Sequence, residues 1–170
     1  DYMFKGCSDL SSIDISNFDL SNCNEFDCMF EGCTKLISID LSHFTSKRIN
    51  IHAQRMFADC INLTRINLCN DMYHFSTIYE MFKNCNSLNT IYVSKEWEMT
   101  SAPSIYDKTF ENCISLEGNM GTTFKPLWIS SEYARIDKGE SARGYLTLHG
   151  DVNQDCIVNI SDITSLIDLL

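Results

Sequence analysis

The sequence predicts a repeat solenoid, in which each coil of about 26 residues contributes one short parallel strand. Met-Phe pairs, with one degenerate copy, begin at Met3, Met29, Met56, Met81 and Thr109, so the separations are 26, 27, 25 and 28 residues. A cysteine follows each phenylalanine by three residues, and a leucine follows each cysteine by three. An Ile-x-aliphatic step comes next in four of the copies. A fixed period in this range is the signature of stacked repeats.

The Ile-x-aliphatic step alternates apolar and polar residues, as a half-buried strand does. In the second repeat, Ile39 and Leu41 are therefore predicted to point inward and Asp40 outward. The return half of each coil is predicted to be irregular or helical. Residues 1–121 form five repeats, and residues 122–149 form a C-terminal cap, because the last coil of a solenoid must hide its core from water.

The outward positions of the predicted strands form one continuous face. We name as a candidate ligand face Asp14, Asp40, Arg65, Asn67 and Tyr92. Arginine and aromatic side chains are the usual anchors of an interface. The alternative is that these residues are only the solvated half of each strand. The loop residue Trp97 has a similar pair of readings, as a ligand contact or as a side chain that covers an open edge.

The cysteines are predicted to be reduced and mostly buried. Five of the nine occupy one slot of the repeat, where they stack as small apolar side chains. Cys28 falls in a polar slot and is predicted to be the most exposed thiol, and Cys69 is predicted to be partly exposed. The spacing of Cys23, Cys28 and Cys33 lacks the tight pairs of structural zinc sites.

Composition and motifs exclude several function classes. The net charge of −10 and the pI near 4.7 argue against nucleic acid, whose binding requires clustered Lys and Arg. No run of about 18 apolar residues predicts a membrane span. Motifs of hydrolases, metalloproteases and phosphate-binding loops are missing, so no enzyme is predicted. Asp1 opens directly into a repeat, which predicts that the chain is a fragment of a longer protein.

The last twenty residues follow a different pattern. Oxygen-bearing side chains occupy positions 1, 3, 5, 9 and 12 of a twelve-residue loop, and position 7 offers a backbone carbonyl. The predicted Ca²⁺ ligands are Asp151, Asn153, Asp155, Ile157, Asn159 and Asp162. Cys156 stands at position 6, where glycine is usual, so we expect weak binding with a Kd of about 10⁻⁴ M. The alternative is a polar turn in which Ser161 or Asp162 caps the following helix.

The repeat pattern Met-Phe-x-x-Cys-x-x-Leu-x-x-Ile-x-Leu-Ser-x-Phe resembles the BspA-like leucine-rich repeats of bacterial surface proteins. The stretch that begins at Cys113 and the later Gly144-Tyr145 pair are similar to the terminal segment of that family. The resemblance covers about residues 1–148. It implies a leucine-rich-repeat-like α/β solenoid on a secreted or surface-attached protein that mediates adhesion to a host or partner protein or glycan.

Residues 150–170 resemble the first half of a type I dockerin, a Ca²⁺ loop followed by one helix. The resemblance implies that Ile160 and Ser161 select a cohesin-like partner. Dockerins need two such repeats, and one is present here. We therefore expect a non-catalytic extracellular or cell-surface binding module. The alternative is an assembly module that docks to a cohesin-type partner through its C-terminus.

Overall fold

The computed structural model of the protein describes residues 1–44, 50–68, 74–95, 97–99 and 107–150. Within these ranges the backbone forms seven short strands and two single 3₁₀ turns, at Ser131–Tyr133 and Gly139–Ser141. The described part of the chain contains no helix long and apolar enough to cross a membrane. The strands are β1 Ser38–Asp40, β2 Ile51–His52, β3 Arg65–Leu68, β4 His74–Thr77, β5 Thr90–Val93, β6 Glu98–Met99 and β7 Leu146–Leu148.

The main sheet contains β1, β3, β5 and β7 in that order, and all its strands are parallel. The first three strands come from equivalent positions of successive repeats, so the structure pairs each repeat with the next one in register. Ile39 lies opposite Ile66, and Ile66 lies opposite Ile91. All three are buried, as the alternation in the sequence predicts. The fourth strand, β7, comes from the segment 122–149 and pairs with β5.

The return halves of the repeats contain a second parallel sheet, made of β2, β4 and β6. The sequence predicts irregular or helical returns, but no α-helix occurs in the described residues of these segments. The reason is that the apolar residues Ile51 and Phe75 stand opposite each other and both point into the core. One inward residue is enough for a strand this short, whereas a helix needs a longer apolar stripe.

The phenylalanines of the Met-Phe pairs form a stacked column through the core. The ring centroids of consecutive members, Phe4, Phe30, Phe57, Phe82 and Phe110, are 5.2, 5.6, 6.0 and 5.6 Å apart. Tyr145 ends the column, because its ring meets Phe110 edge-on with a centroid distance of 5.2 Å. Aromatic pairs at such distances add to the stabilisation that their buried area already supplies.

The repeat cysteines form a second buried column beside the phenylalanines. The thiols of Cys33, Cys60, Cys85 and Cys113 are fully buried. Each Sγ donates to the backbone carbonyl of the phenylalanine one repeat earlier, at 3.2, 3.0, 3.0 and 3.0 Å. The prediction of a reduced, buried ladder is confirmed for these four. Cys7, in the first repeat, is exposed.

The prediction that Cys28 is the most exposed thiol is wrong. The side chain is 7% exposed and lies against Glu31. Burial raises its pKa to about 11, and the hydrogen bond with Glu31 adds to the effect. The slot that Cys28 shares with Arg55 and Glu80 is lined by ion pairs from neighbouring repeats, so a polar residue there does not indicate solvent exposure.

We expect alkylation of the folded protein to distinguish the exposed thiol of Cys7 from the buried column of repeat cysteines. The thiolate is the reactive form, and burial raises the pKa of Cys33 to about 11 and that of Cys60 to about 12. Iodoacetamide at pH 8 should therefore modify Cys7 and leave Cys60 and Cys85 intact. Peptide mass spectrometry measures this, and labelling after unfolding in urea is the control. Native labelling of Cys60 as fast as that of Cys7 would contradict the described core.

Candidate binding groove

An open groove of about 880 Å³ lies over the outer face of the main sheet. Its floor comes from the outward residues of all four strands, and the loop 117–121 and the segment 149–150 form its walls. The lining residues are Ser38, Ile39, Asp40, Arg65, Asn67, Asn89, Thr90, Tyr92, Glu117, Gly118, Asn119, Met120, Gly121, Thr147, Leu148, His149 and Gly150.

The floor of the groove consists of two rows of polar side chains that cross the strands. Strand register places Asp40 opposite Asn67, Asn67 opposite Tyr92, and Tyr92 opposite Thr147, which makes one row of four. Successive members belong to neighbouring strands, so they are roughly 4.8 Å apart. The second row contains Ser38, Arg65 and Thr90.

Asp40 is held in place by hydrogen bonds from Ser42 and Asn67. The backbone N–H of Ser42 donates to its Oδ1 at 2.8 Å, and Nδ2 of Asn67 donates to the same oxygen at 3.1 Å. Partial desolvation raises the pKa of Asp40, but hydrogen bonds from the side chain and the backbone of Ser42 and from Asn67 outweigh it and keep the pKa below its usual value. The groove therefore presents an ionised carboxylate at neutral pH, positioned beside an amide.

Arg65 and Tyr92 are the largest side chains of the floor. Arg65 is exposed, and no ion pair within the described ranges involves it. Tyr92 is half-buried, and its ring makes an edge contact with His149 at a centroid distance of 5.7 Å and an interplanar angle of 81°. The Tyr92 ring is therefore fixed on one side by His149 and is partly open to the groove.

The wall formed by residues 117–121 is fixed by Asp137. This buried carboxylate accepts hydrogen bonds from the backbone N–H groups of Met120 and Thr122, each at 2.9 Å, and from Oγ1 of Thr122 at 2.8 Å. Gly118 fits closely against it, since a Cβ atom at position 118 would lie 2.7 Å from Cβ of Asp137 and 2.3 Å from the carbonyl oxygen of Gly144. A larger residue at position 118 would push the wall out of place.

The structure brings four of the five predicted face residues together in this groove: Asp40, Arg65, Asn67 and Tyr92. Asp14 is exposed but does not line it, because the main sheet begins at β1 in the second repeat. The sequence analysis missed Thr147, His149 and the loop 117–121. Only the alternation around β7 could have indicated Thr147.

Trp97 packs against the protein. Its ring centroid lies 5.0 Å from that of Phe75, and its Nε1 donates a hydrogen bond to the backbone carbonyl of Ala134 at 2.9 Å.

A second group of charged side chains, away from the groove, contacts residues from successive repeats. The Arg55 guanidinium binds Glu31 at 2.8 Å and Asp59 at 3.2 Å, and also pairs with Glu80. Burial would raise the pKa of Glu31, but hydrogen bonds from Arg55, Cys28 and Lys5 lower it to about 2. Because these groups neutralise one another, we assign them to the stability of the stack.

Three carboxylates near the N-terminus also come together. The oxygens of Asp1, Glu25 and Asp27 lie within 4.8 Å of one another, and Asp1 and Glu25 are exposed. Oδ1 of Asp27 already accepts a hydrogen bond from the backbone N–H of Gln54 at 2.7 Å. Exposed acidic groups of this kind are common without a metal, and we assign no ion to them.

Several predicted site residues fall outside the described ranges. They are the Ca²⁺ ligands Asp151, Asn153, Asp155, Ile157, Asn159 and Asp162, the docking pair Ile160 and Ser161, and the thiol of Cys69.

Residues 1–124 match the family described as "Mycoplasma protein of unknown function, DUF285", so the chain belongs to this family. No curated protein and no solved structure matches the chain.

Proposed function

We propose that this chain is a solenoid of BspA-like leucine-rich repeats that acts as a non-catalytic binding module on the outside of a cell, either secreted or attached to the surface. The observation that carries the proposal is the groove, whose floor takes one or two side chains from each of four parallel strands. A rigid sheet that presents in-register polar side chains is a surface suited to recognition, because its floor is fixed before a ligand arrives.

The family adds support of a different kind, since DUF285 is associated with BspA-like surface repeat proteins. That association motivates the extracellular location and the adhesive role. It is an argument by analogy, and the site itself must carry the function. The proposed partner is a host or microbial surface protein or glycan.

The chemistry of the described residues favours binding over catalysis. The groove side chains are mainly hydrogen-bonding groups at the surface. The thiols of the repeat cysteines do not reach the groove: those of Cys33, Cys60, Cys85 and Cys113 lie in the core, where burial raises their pKa. Buried thiols of this kind are inert.

We expect Arg65→Ala and Tyr92→Ala to weaken adhesion by about fivefold or more, because anchor residues of an interface contribute more than about 1 kcal/mol each. The assay immobilises extracellular-matrix proteins, mucins and microbial polysaccharides, and measures the binding of the purified chain to each. Lys35→Ala and Tyr79→Ala are matched controls, since both residues are exposed and neither lines the groove.

Both groove variants should keep the stability of the parent chain to within about 0.5 kcal/mol, as surface substitutions do. Thermal denaturation checks this. Adhesion that survives in both groove variants, or that the two controls weaken equally, would show that the groove is only the solvated side of the sheet.

We propose a second, subsidiary role for residues 150–170, as a weak Ca²⁺ site that docks to a cohesin-like partner. The observation that favours it is the set of oxygen donors at five loop positions, Asp151, Asn153, Asp155, Asn159 and Asp162. A loop of this kind would supply carboxylate, amide and carbonyl oxygens to the ion, and Ile160 and Ser161 would face the partner.

Calorimetric titration with CaCl₂ tests this role. We expect one site with a Kd of about 10⁻⁴ M, and we expect the double variant Asp151→Ala/Asp155→Ala to lose it. The double variant Asp1→Ala/Glu25→Ala is the control, because it removes the other acidic group. Titration heat that disappears in this control and persists in the loop variant would place the ion at the N-terminus instead.

A further inference from the structure

We propose that the groove binds a neutral glycan chain, whose sugar units lie across the strands of the main sheet. This inference rests on the proposed binding function and names the class of ligand for the same groove.

The spacing of the floor residues suits a polymer of similar units. Asp40, Asn67, Tyr92 and Thr147 form one row, with one residue on each of four neighbouring strands. Their separation of roughly 4.8 Å per strand is comparable to the advance of one sugar ring in an extended glycan. Each unit of the chain can therefore meet one polar side chain of the row.

The floor offers the hydrogen-bonding groups that sugar hydroxyls need. A hydroxyl is both a donor and an acceptor, so neighbouring hydroxyls on a ring are best met by adjacent acceptors and donors. Asp40 and Asn67 supply such a pair, held together by their own hydrogen bond of 3.1 Å. Each carboxylate oxygen can accept more than one hydrogen bond, so the exposed Asp40 can also accept from a ligand hydroxyl.

Tyr92 supplies the apolar contact that a sugar ring also needs. The C–H groups of one face of a pyranose are apolar, and they stack on the electron-rich face of an aromatic ring. Tyr92 stands in the middle of the floor, next to Asn67 and Thr147 in the same row. Its edge contact with His149 holds the ring, which is half-buried and so partly open to the groove.

The charge of the groove favours a neutral glycan over anionic polymers. The groove carries the carboxylates of Asp40 and Glu117 against the single guanidinium of Arg65, and the whole chain has a net charge of −10. An anionic glycan or nucleic acid would be repelled, because such ligands require an excess of Lys and Arg. A polypeptide needs pockets for apolar anchors, yet Met120 is the one exposed apolar side chain in the described lining.

The test uses hexasaccharides of β-linked glucose, mannose, xylose and N-acetylglucosamine as probes, with ligand-observed NMR to detect binding and calorimetry to measure Kd. We expect at least one of them to bind. Asn67→Ala and Tyr92→Ala should each raise the Kd about tenfold, the loss of one hydrogen bond or one stacking contact. Tyr92→Phe should keep the affinity, because it keeps the ring. Asn62→Ala and Tyr79→Ala, both exposed and outside the groove, should leave the Kd unchanged.

The proposal is overturned if all four neutral probes fail to bind, or if one binds with a Kd that Asn67→Ala and Tyr92→Ala do not change. A further outcome separates this proposal from the binding function itself. If a protein target from the adhesion panel still binds through Arg65 and Tyr92 after enzymatic deglycosylation, the groove is a binding site and its ligand is a polypeptide.

Discussion

Replacing Phe57 with alanine is expected to lower the free energy of unfolding by about 3–5 kcal/mol. Phe57 is fully buried, and its ring lies between Phe30 and Phe82 at centroid distances of 5.6 and 6.0 Å. The change removes the ring's buried area, leaves a cavity, and interrupts the stacked column in the middle of the chain. Because Phe57 packs against a ring from the repeat on each side, its loss weakens the interfaces on both sides.

Urea denaturation followed by circular dichroism measures the effect. Ile61→Ala is the control, because Ile61 lies in the same repeat but is 45% exposed, and surface changes cost within about 0.5 kcal/mol. Equal losses from Phe57→Ala and Ile61→Ala would mean that the inward and outward positions of the repeat have been assigned wrongly.

Replacing Asp137 with alanine is expected to cost about 3 kcal/mol. The Asp137 side chain is fully buried and accepts hydrogen bonds from the backbone N–H groups of Met120, Thr122 and Gly139. The alanine variant leaves these donors without their acceptor in a closed site, and unsatisfied buried groups are more costly than absent ones. The loop 117–121 would lose its anchor, so the groove should also lose affinity for its ligand.

The control is Glu132→Ala, which removes an exposed carboxylate from the same C-terminal segment. Thermal denaturation and the adhesion assay are both applied to the two variants. We expect Asp137→Ala to lower both the melting temperature and the adhesion, and Glu132→Ala to change neither. Normal adhesion by Asp137→Ala at a temperature where it is folded would show that the wall is not part of the binding site.

The repeat pattern predicted which residues of the main sheet point inward and which point outward. It did not predict which strand closes the sheet. Ile39, Ile66 and Ile91 are buried and Asp40 and Arg65 are exposed, because the period-two alternation records which side of a strand meets water. The pairing of β7 with β5 was not predictable. It joins distant segments, and β7 carries none of the repeat motif.

The backbone conformation shows that the residue before each repeat cysteine is part of a turn. The residue before each repeat cysteine has a positive φ, and it is Gly32, Asp59, Asn84 or Asn112 in the later copies. Glycine, asparagine and aspartate tolerate this conformation best, so the composition of that slot was a turn signal. Cys28 and Arg55 also have positive φ, which their residue types do not suggest.

The central claim is that successive repeats stack in register, so that their outward side chains form one face. A designed zinc site tests it most directly. Ser38 and Arg65 are register partners on β1 and β3, so Ser38→His/Arg65→His places two imidazoles on adjacent strands, where both can bind one Zn²⁺.

We expect Zn²⁺ at a hundredfold excess over its Kd to stabilise this variant by about 2.7 kcal/mol, seen as a rise in melting temperature. The single variants, and Ser38→His/Thr90→His with the two residues on non-adjacent strands, should show little change. Equal stabilisation of all these variants, or none in the register pair, would contradict the stacking.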